Sequence, residues 1–281
     1  MNALADVSAH AATRGLSLLH PTDFSATSTL ALAHSVALSL RLGGRLTLLH
    51  IRREEDAGPT RNGLAPIADL LARWGRLGVH EKFADLKSKC GIDARCLDVP
   101  ARSISVGLHE HFEAQPVDLA VLATTPHSGL NYWFAGSISR RALREAEAMI
   151  LFIREGQRGL IDPKTGAITA RRVLIPLDGR MPIAPALARA ARLLDALALP
   201  LEKRFLHIGD AAPPDTPKDI PLTLAHGPVV ETILHCAQTW RADLIVMPTP
   251  GRRGLLTRFR NSVSAAILDD GRWPVLSVPA L

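Results

Sequence analysis

The chain has 281 residues, 47% hydrophobic and 21% charged, with three cysteines and a formal net charge of +6; this composition suits one or two globular domains and argues against a disordered chain, a disulfide framework or a cysteine-based metal centre. No run of about 18 apolar residues occurs and the first residues show no basic leader with an apolar stretch, so neither a membrane span nor a secretory signal is expected, and a reducing cytoplasm is. The basic surplus lies in the second half, +5 after Glu155 against +1 before it, but aromatics are only 4% of the chain, which argues against a stacking surface for nucleic acid.

In chain order, short apolar runs at 16–20, 45–51 and 119–124 have the length and turn-residue borders of buried parallel strands. Between the first two, Ser25 caps a segment in which Leu30, Ala33, Ala37 and Leu40 recur at helical spacing until Gly43 and Gly44 end it. Residues 65–90, 102–115 and 137–146 supply three more helices, and 92–97 and 149–154 two more strands. Five strands and four helices predict a doubly wound α/β domain over residues 1–155. Residues 156–170, with three glycines, a proline and no hydrophobic period, read as a linker.

A second domain follows over 171–281. Strands at 172–177, 203–208, 244–247 and 274–278 and helices at 184–197, 229–240 and 263–268 repeat the plan of the first. The helix matching 65–90 has no counterpart, because only 209–219, with three prolines, separates 203–208 from a short run at 220–225. This copy is therefore expected to lack one helix of cover and to present an apolar sheet face to a partner. The repeat is also visible residue by residue. Residues 118–126 (DLAVLATTP) recur as 243–251 (DLIVMPTPG), and Gly136 and Ser137 recur as Asn261 and Ser262; Pro21, Thr22 and Asp23 recur as Pro176, Leu177 and Asp178, and Leu49, His50 and Ile51 as Leu206, His207 and Ile208.

The Pro-Thr-Asp-Phe-Ser turn after a first strand, Leu-Leu-His-Ile in a second, and the late Gly136-Ser137 together resemble a universal stress protein domain, and two such copies resemble the tandem type of that family. The resemblance implies two doubly wound parallel sheets of strand order 3-2-1-4-5, the adenine-nucleotide-hydrolase-like fold, with helices on both faces. It also implies ATP, or another adenine nucleotide with magnesium, bound by a pattern of Gly, two residues, Gly, nine residues, Gly and Ser or Thr, where amide N–H groups close on phosphate oxygens at a helix start. Here the positions read Ala123, Pro126, Gly136 and Ser137 in the first copy and Pro248, Gly251, Asn261 and Ser262 in the second. Pro126 has no N–H to offer, whereas Asn261 can enter the left-handed conformation. On this resemblance Asp23 meets a ribose hydroxyl, the backbone of Ile51 faces adenine, and Gly136 and Ser137 hold a phosphate. Asp178, Ile208, Gly251, Asn261 and Ser262 take the corresponding places in the second copy, where Arg252, Arg253, Arg258 and Arg260 supply charge in place of missing N–H donors.

Each of these residues has a plainer reading. Asp23 and Asp178 stabilise turns without any ligand, Gly136 and Ser137 suit a helix start, and the arginines suit a solvated face. Tyr132, Trp133 and Phe134 cover a nucleotide or simply pack a loop. His50 and His207 end buried strands, where a structural hydrogen bond is the default; His109 and His111, two apart on a helix, cannot share a metal; Cys90 and Cys96 read as buried thiols. No Ser-His-Asp set, paired carboxylates, P-loop or HExxH is present, so no catalytic engine beyond a weak ATPase is expected. Three functions stay open: a stress-response regulatory or binding module, a nucleotide-binding protein with slow ATP hydrolysis, and a nucleotide-independent scaffold for a protein partner. The resemblance further implies self-association through 149–154 and 275–278, as an intrachain pseudo-dimer that leaves a homodimer open.

Overall fold

The computed structural model describes residues 15–25, 28–53, 63–78, 86–124, 147–154, 156–157, 159–179, 183–214, 216–250 and 263–280. The first copy runs β1 (Ser17–Pro21), α1 (Thr29–Leu42), β2 (Arg45–Arg53), α2 (Ala65–Arg73), α3 (Leu86–Cys90), β3 (Asp93–Ala101), α4 (Ile104–Ala114), β4 (Leu119–Thr124) and β5 (Met149–Arg154). The second runs β6 (Arg172–Leu177), α5 (Ala184–Ala196), β7 (Glu202–Ile208), β8 (Leu222–Ala225), α6 (Val229–Trp240), β9 (Leu244–Pro250), α7 (Val263–Asp270) and β10 (Val275–Ala280). The expected helix over 137–146 lies outside the described residues.

All ten strands form one sheet in the order β3-β2-β1-β4-β5-β10-β9-β6-β7-β8. Each half is thus parallel with the order 3-2-1-4-5, and the halves join where β5 and β10 pair antiparallel, Phe152 opposite Val275 and Ile150 opposite Ser277. Side chains alternate between the two faces, as a strand requires. Leu18, Leu46, Leu48, Val121 and Leu151 pack with the helices α1, α2, α3 and α5, and Leu19, Leu49, Leu122 and Phe152 with α4, α6 and α7. One carboxylate, repeated in the sequence, squares each half. The Asp118 Oδ2 accepts the N–H of Ser17 at 2.8 Å, and the Asp243 Oδ2 accepts those of Arg171 and Arg172 at 2.7 and 3.0 Å. The turn before the fourth strand therefore holds the amino end of the first.

Helix ends follow local chemistry. The Ser25 carbonyl accepts the N–H of Ser28 at 3.2 Å, opening the turn that becomes α1, and Gly43 closes it in the left-handed conformation at φ 66°. The single helix expected over 65–90 is instead two. Helix α2 stops at Trp74, where Gly75 at φ 68° turns the chain away, and α3 is a separate helix over Leu86–Cys90.

Residues 159–170 join the copies as a partly buried strap. Leu160, Ile161 and Ala170 are buried in the core cluster, Ile161 bridges Ile168, and Asp162 caps the intervening turn through Lys164 N–H and Thr165 Oγ1–H. Two side chains of the first copy clasp it. His34 of α1 donates from Nδ1 to the Leu30 carbonyl (2.7 Å) and accepts the N–H of Leu160 at Nε2 (2.9 Å), and the Trp74 indole donates to the Pro163 carbonyl (3.0 Å). Across the junction Arg41 of α1 donates to the carbonyls of Leu197 and Ala198 at the carboxyl end of α5, where a cation suits the helix dipole.

The shortened connection in the second copy forms no helix among its described residues, yet Phe205 beneath it is only 1% exposed and shares a cluster with Ile220 and Leu222. The open apolar face expected from the sequence is therefore closed over β7. Large apolar exposure among the described residues is confined to Leu224 (44%) and Val229 (43%).

Gly166 in the strap has φ +70°, and a Cβ there would lie 2.5 Å from the Trp74 ring, whereas Gly156 at φ +82° has nothing within 4 Å. Gly166→Ala is expected to lower stability by about 2 kcal/mol or more, strain plus overlap, and Gly156→Ala by about 1 kcal/mol from strain alone. Urea unfolding of the two variants checks the difference.

Candidate functional site

The two strands at the centre of each half separate. β1 and β4 are in register only at Leu18 with Leu119 and Leu19 with Ala120, and β6 and β9 only at Val173 with Leu244 and Leu174 with Ile245. By contrast β2 and β3 pair from Arg45 with Asp93 through Arg53 with Ala101. The parting falls where the winding reverses direction, at the carboxyl ends of the central strands, the place where open α/β sheets form the crevice in which ligands bind.

In the first crevice a side chain takes over where the ladder stops. His20 donates from Nδ1 to the carbonyl of Val121 on β4 at 2.9 Å, and its Nε2, fully buried, meets no hydrogen-bond partner among the described residues. Burial holds its pKa down at about 4 against the ordinary 6.5, the Val121 carbonyl and the Asp23 charge offsetting part of that. Thr22 continues the strand by donating its N–H to Leu49 of β2 (2.9 Å) and turns its Oγ1 to the N–H of Phe24 (3.0 Å). Asp23 is exposed, and its Oδ1 accepts the N–H of Ser25 at 2.9 Å, an Asx turn that fixes the carboxylate at the lip.

Phe24 sits at φ 59°, a conformation costly for a residue with a Cβ. Its ring lies 5.1 Å from that of His50, and a Cβ on Gly63 would come 3.0 Å from its tip and 2.0 Å from the Cys96 sulfur. His50 donates from Nδ1 to Asp98 Oδ1 on β3 (3.2 Å), and Arg52 Nε stands 3.4 Å from the same oxygen as an ion pair without hydrogen-bond geometry. The Asp98 side chain is 5% exposed, so it is a buried carboxylate held between two basic groups. Ile51 follows His50 and packs under α4, where only a glycine at 107 leaves room, a Cβ there falling 2.9 Å from it. Asp23 and Ile51 thus lie at the ends of adjacent strands, since Pro21 is in register with Leu49.

The second copy keeps the outline with different detail. Asp178 is exposed directly after Leu177, which is in register with His207, and Ile208 follows. His207 donates from Nδ1 to the Leu177 carbonyl (3.0 Å), and a Cβ on Gly209 would lie 2.6 Å from its Nε2, so a larger residue there would have to displace the ring. Gly136, Ser137, Gly251, Arg252, Arg253, Arg258, Arg260, Asn261 and Ser262, with the aromatic run 132–134, lie outside the described residues.

Among the described residues no three His, Cys, Asp or Glu side chains gather as a metal site. Burial pushes the thiols of Cys96 and Cys236 up from the ordinary value, Asp98 adding to the effect at Cys96, and Cys90 donates its thiol to the Arg76 carbonyl. None of these is arranged as a nucleophile. The sequence reading did not single out His20, His34 or Asp98. The first copy's His20 stands where the second has Ile175, and that polar-for-apolar exchange within a buried strand was the available signal.

The model of the universal stress protein family matches residues 17–154 and 196–279, so β6 and most of α5 fall between the matched segments although they complete the second half. A universal stress protein from Archaeoglobus fulgidus DSM 4304 superposes with a TM-score of 0.61 at 17% identity, covering 95% of this chain and 97% of that one. A functionally unknown protein from Pseudomonas aeruginosa PAO1 gives 0.60 at 16%, covering 94% and 92%. At these identities the likeness concerns the fold. No curated protein sequence matches the chain at a significant level.

His34, like His20, is held near pKa 4 by burial. The unfolded chain takes up a proton at each site below about pH 6.5 while the folded chain does not until about pH 4, so stability falls as pH falls through that window, by about 3 kcal/mol per histidine at its foot. Urea unfolding from pH 7 to 4 should show this loss, and His34→Gln should reduce the slope by about 1.4 kcal/mol per pH unit.

Proposed function

The chain belongs to the universal stress protein family, and from that premise we propose that it is a stress-response regulatory and binding module whose first-copy crevice takes an adenine nucleotide. The observation that carries this reading is the parted β1 and β4, with the exposed Asp23 fixed at the lip and Ile51 at the end of the neighbouring strand. A carboxylate held by an Asx turn accepts hydrogen bonds from ribose hydroxyls without first having to be ordered, and the backbone beyond His50 offers an edge for a purine. Gly136 and Ser137 would hold the phosphates, with magnesium supplying the countercharge and, in the weak ATPase reading, the polarisation of the terminal phosphate. The residues of the second crevice, Asp178, Ile208, Gly251, Asn261 and Ser262, would serve a second nucleotide, with Arg252 and Arg253 at its phosphates.

A scaffold reading is favoured by a different observation. Leu224 on the short edge strand β8 and Val229 at the start of α6 stand exposed, where a protein partner would find apolar surface. Three free cysteines and the absence, among the described residues, of a helix long and apolar enough to cross a membrane fit a cytoplasmic setting.

Mass spectrometry of small molecules released by denaturing the washed protein, with ATP calorimetry in magnesium on the stripped protein, separates these readings. Saturable ATP binding weakened about tenfold by Asp23→Ala, the size of one lost charge-assisted hydrogen bond, is expected. Binding unchanged in both Asp23→Ala and Ser137→Ala removes the first-copy site. No binding by the folded wild type leaves the scaffold.

A further inference from the structure

The fold does not need an imidazole where His20 stands. Ile175 takes the same place in the second copy: each precedes the proline that ends the first strand's apolar run, and the two lie in register with Leu48 and Ile175's neighbour Phe205 respectively. Ile175 is buried, and β6 and β9 part as β1 and β4 do without any bridging side chain from this position. The first copy therefore carries a buried Nε2 that meets no partner among the described residues, a group that costs free energy and that native proteins keep rare, where an apolar residue serves the fold.

The ring lies in the parting itself. Leu19 and Ala120 are the last residues of β1 and β4 in register, His20 and Val121 are the next on each strand, and Nδ1 of the one meets the carbonyl of the other at 2.9 Å. Asp23 at the lip is near enough for its charge to act on the ring. Because Nδ1 carries the proton given to Val121, Nε2 is an acceptor and takes only a donor. Burial, with a pKa held at about 4, keeps the ring neutral, so at neutral pH Nε2 has nothing to offer a phosphate oxygen, which is itself an acceptor.

We propose that His20 Nε2 accepts a hydrogen bond from an amine or hydroxyl of the molecule bound in the first crevice, making His20 a specificity-determining residue that the second copy lacks. The inference rests on the reading of the first crevice as a nucleotide site and deepens it. The phosphates of an adenine nucleotide are ionised acceptors, so the donors it can bring to Nε2 are the exocyclic amino group and the ribose hydroxyls. A ligand without the matching donor leaves the buried acceptor bare, which is how a polar site rejects an analogue.

Nitrogen NMR of the full chain with isotope-labelled histidine tests this. The His20 Nε2 resonance, assigned by its absence in His20→Ile, is expected at the high frequency of an acceptor without a donor and should move to lower frequency when ATP with magnesium is added. In calorimetry His20→Ile should bind ATP about tenfold more weakly, the size of one hydrogen bond. His20→Asn, whose amide nitrogen stands where Nδ1 does, can keep the bond to Val121 but has no atom at Nε2, and the same loss there separates the acceptor from the strand bridge. ATP analogues lacking the amino group or either ribose hydroxyl identify the donor: the one that fails to move Nε2 should bind the wild type about tenfold more weakly than ATP, and His20→Ile no more weakly than ATP does. ATP binding that Asp23→Ala weakens but that leaves Nε2 unmoved overturns the proposal and keeps the nucleotide reading. An Nε2 already hydrogen-bonded before ATP is added, or a shift that every analogue reproduces, does the same. No ATP binding by the folded wild type overturns both.

Discussion

The antiparallel pairing of β5 with β10 is the constraint on which the rest of the architecture depends. A five-stranded doubly wound sheet ends in an exposed edge, and an edge of apolar residues such as Met149, Ile150, Leu151 and Phe152 is a standing invitation to aggregation. Setting Phe152 opposite Val275 and Leu151 opposite Leu276 removes two such edges at once. It also places α1 and α5 on one face, which is what allows Arg41 to reach the last carbonyls of α5 and Arg189 of α5 to reach the Glu147 carbonyl. These contacts follow from the strand pairing, since without it their partners belong to separate bodies.

The strap shows how polar groups are made to serve a buried junction. Leu160 and Ile161 bring apolar area worth about 2 kcal/mol each into the core, but their backbone amides come with them and must find partners. His34 supplies the acceptor for Leu160, and it can do so only as the neutral tautomer whose Nδ1–H is engaged by Leu30. Burial enforces that state. The same logic governs His20, which is kept neutral and oriented by Val121 while bridging two strands that have stopped pairing. In both places imidazole does work that a backbone ladder would do in a regular sheet.

Much of this was legible in the sequence where the signal was local. Strands Leu119–Thr124, Met149–Arg154 and Arg172–Leu177 and helix Val229–Trp240 were read to the residue, because each is a single apolar or amphipathic run bordered by Asp, Arg or Pro. The repeat gave the strand order through the family it resembles. Where one signal had to be weighed against another the reading slipped: helical periodicity ran on across 65–90, but Gly75 ended α2 after nine residues. Residues 156–170 lacked period and read as a linker, and the burial of part of it was not legible, because that depends on His34 and Trp74, over 80 positions away in the chain. Of the candidate site, Asp23, Ile51, Asp178 and Ile208 could be placed at strand ends. Asp98 could not be paired with His50 until the register of β2 and β3 was known, since no local pattern encodes a separation of 48 residues.

Because β5 and β10 run in opposite directions, the strands of the two halves point opposite ways along the whole sheet. The carboxyl ends of the first half therefore share a rim with the amino ends of the second, and the crevice beside Asp178 opens on the far rim. The molecule is two-ended. No flat partner can sit over both crevices of one chain, and whatever docks at one rim leaves the other free, so that a string of such partners would meet the protein as a spacer of fixed length with a distinct address at each end.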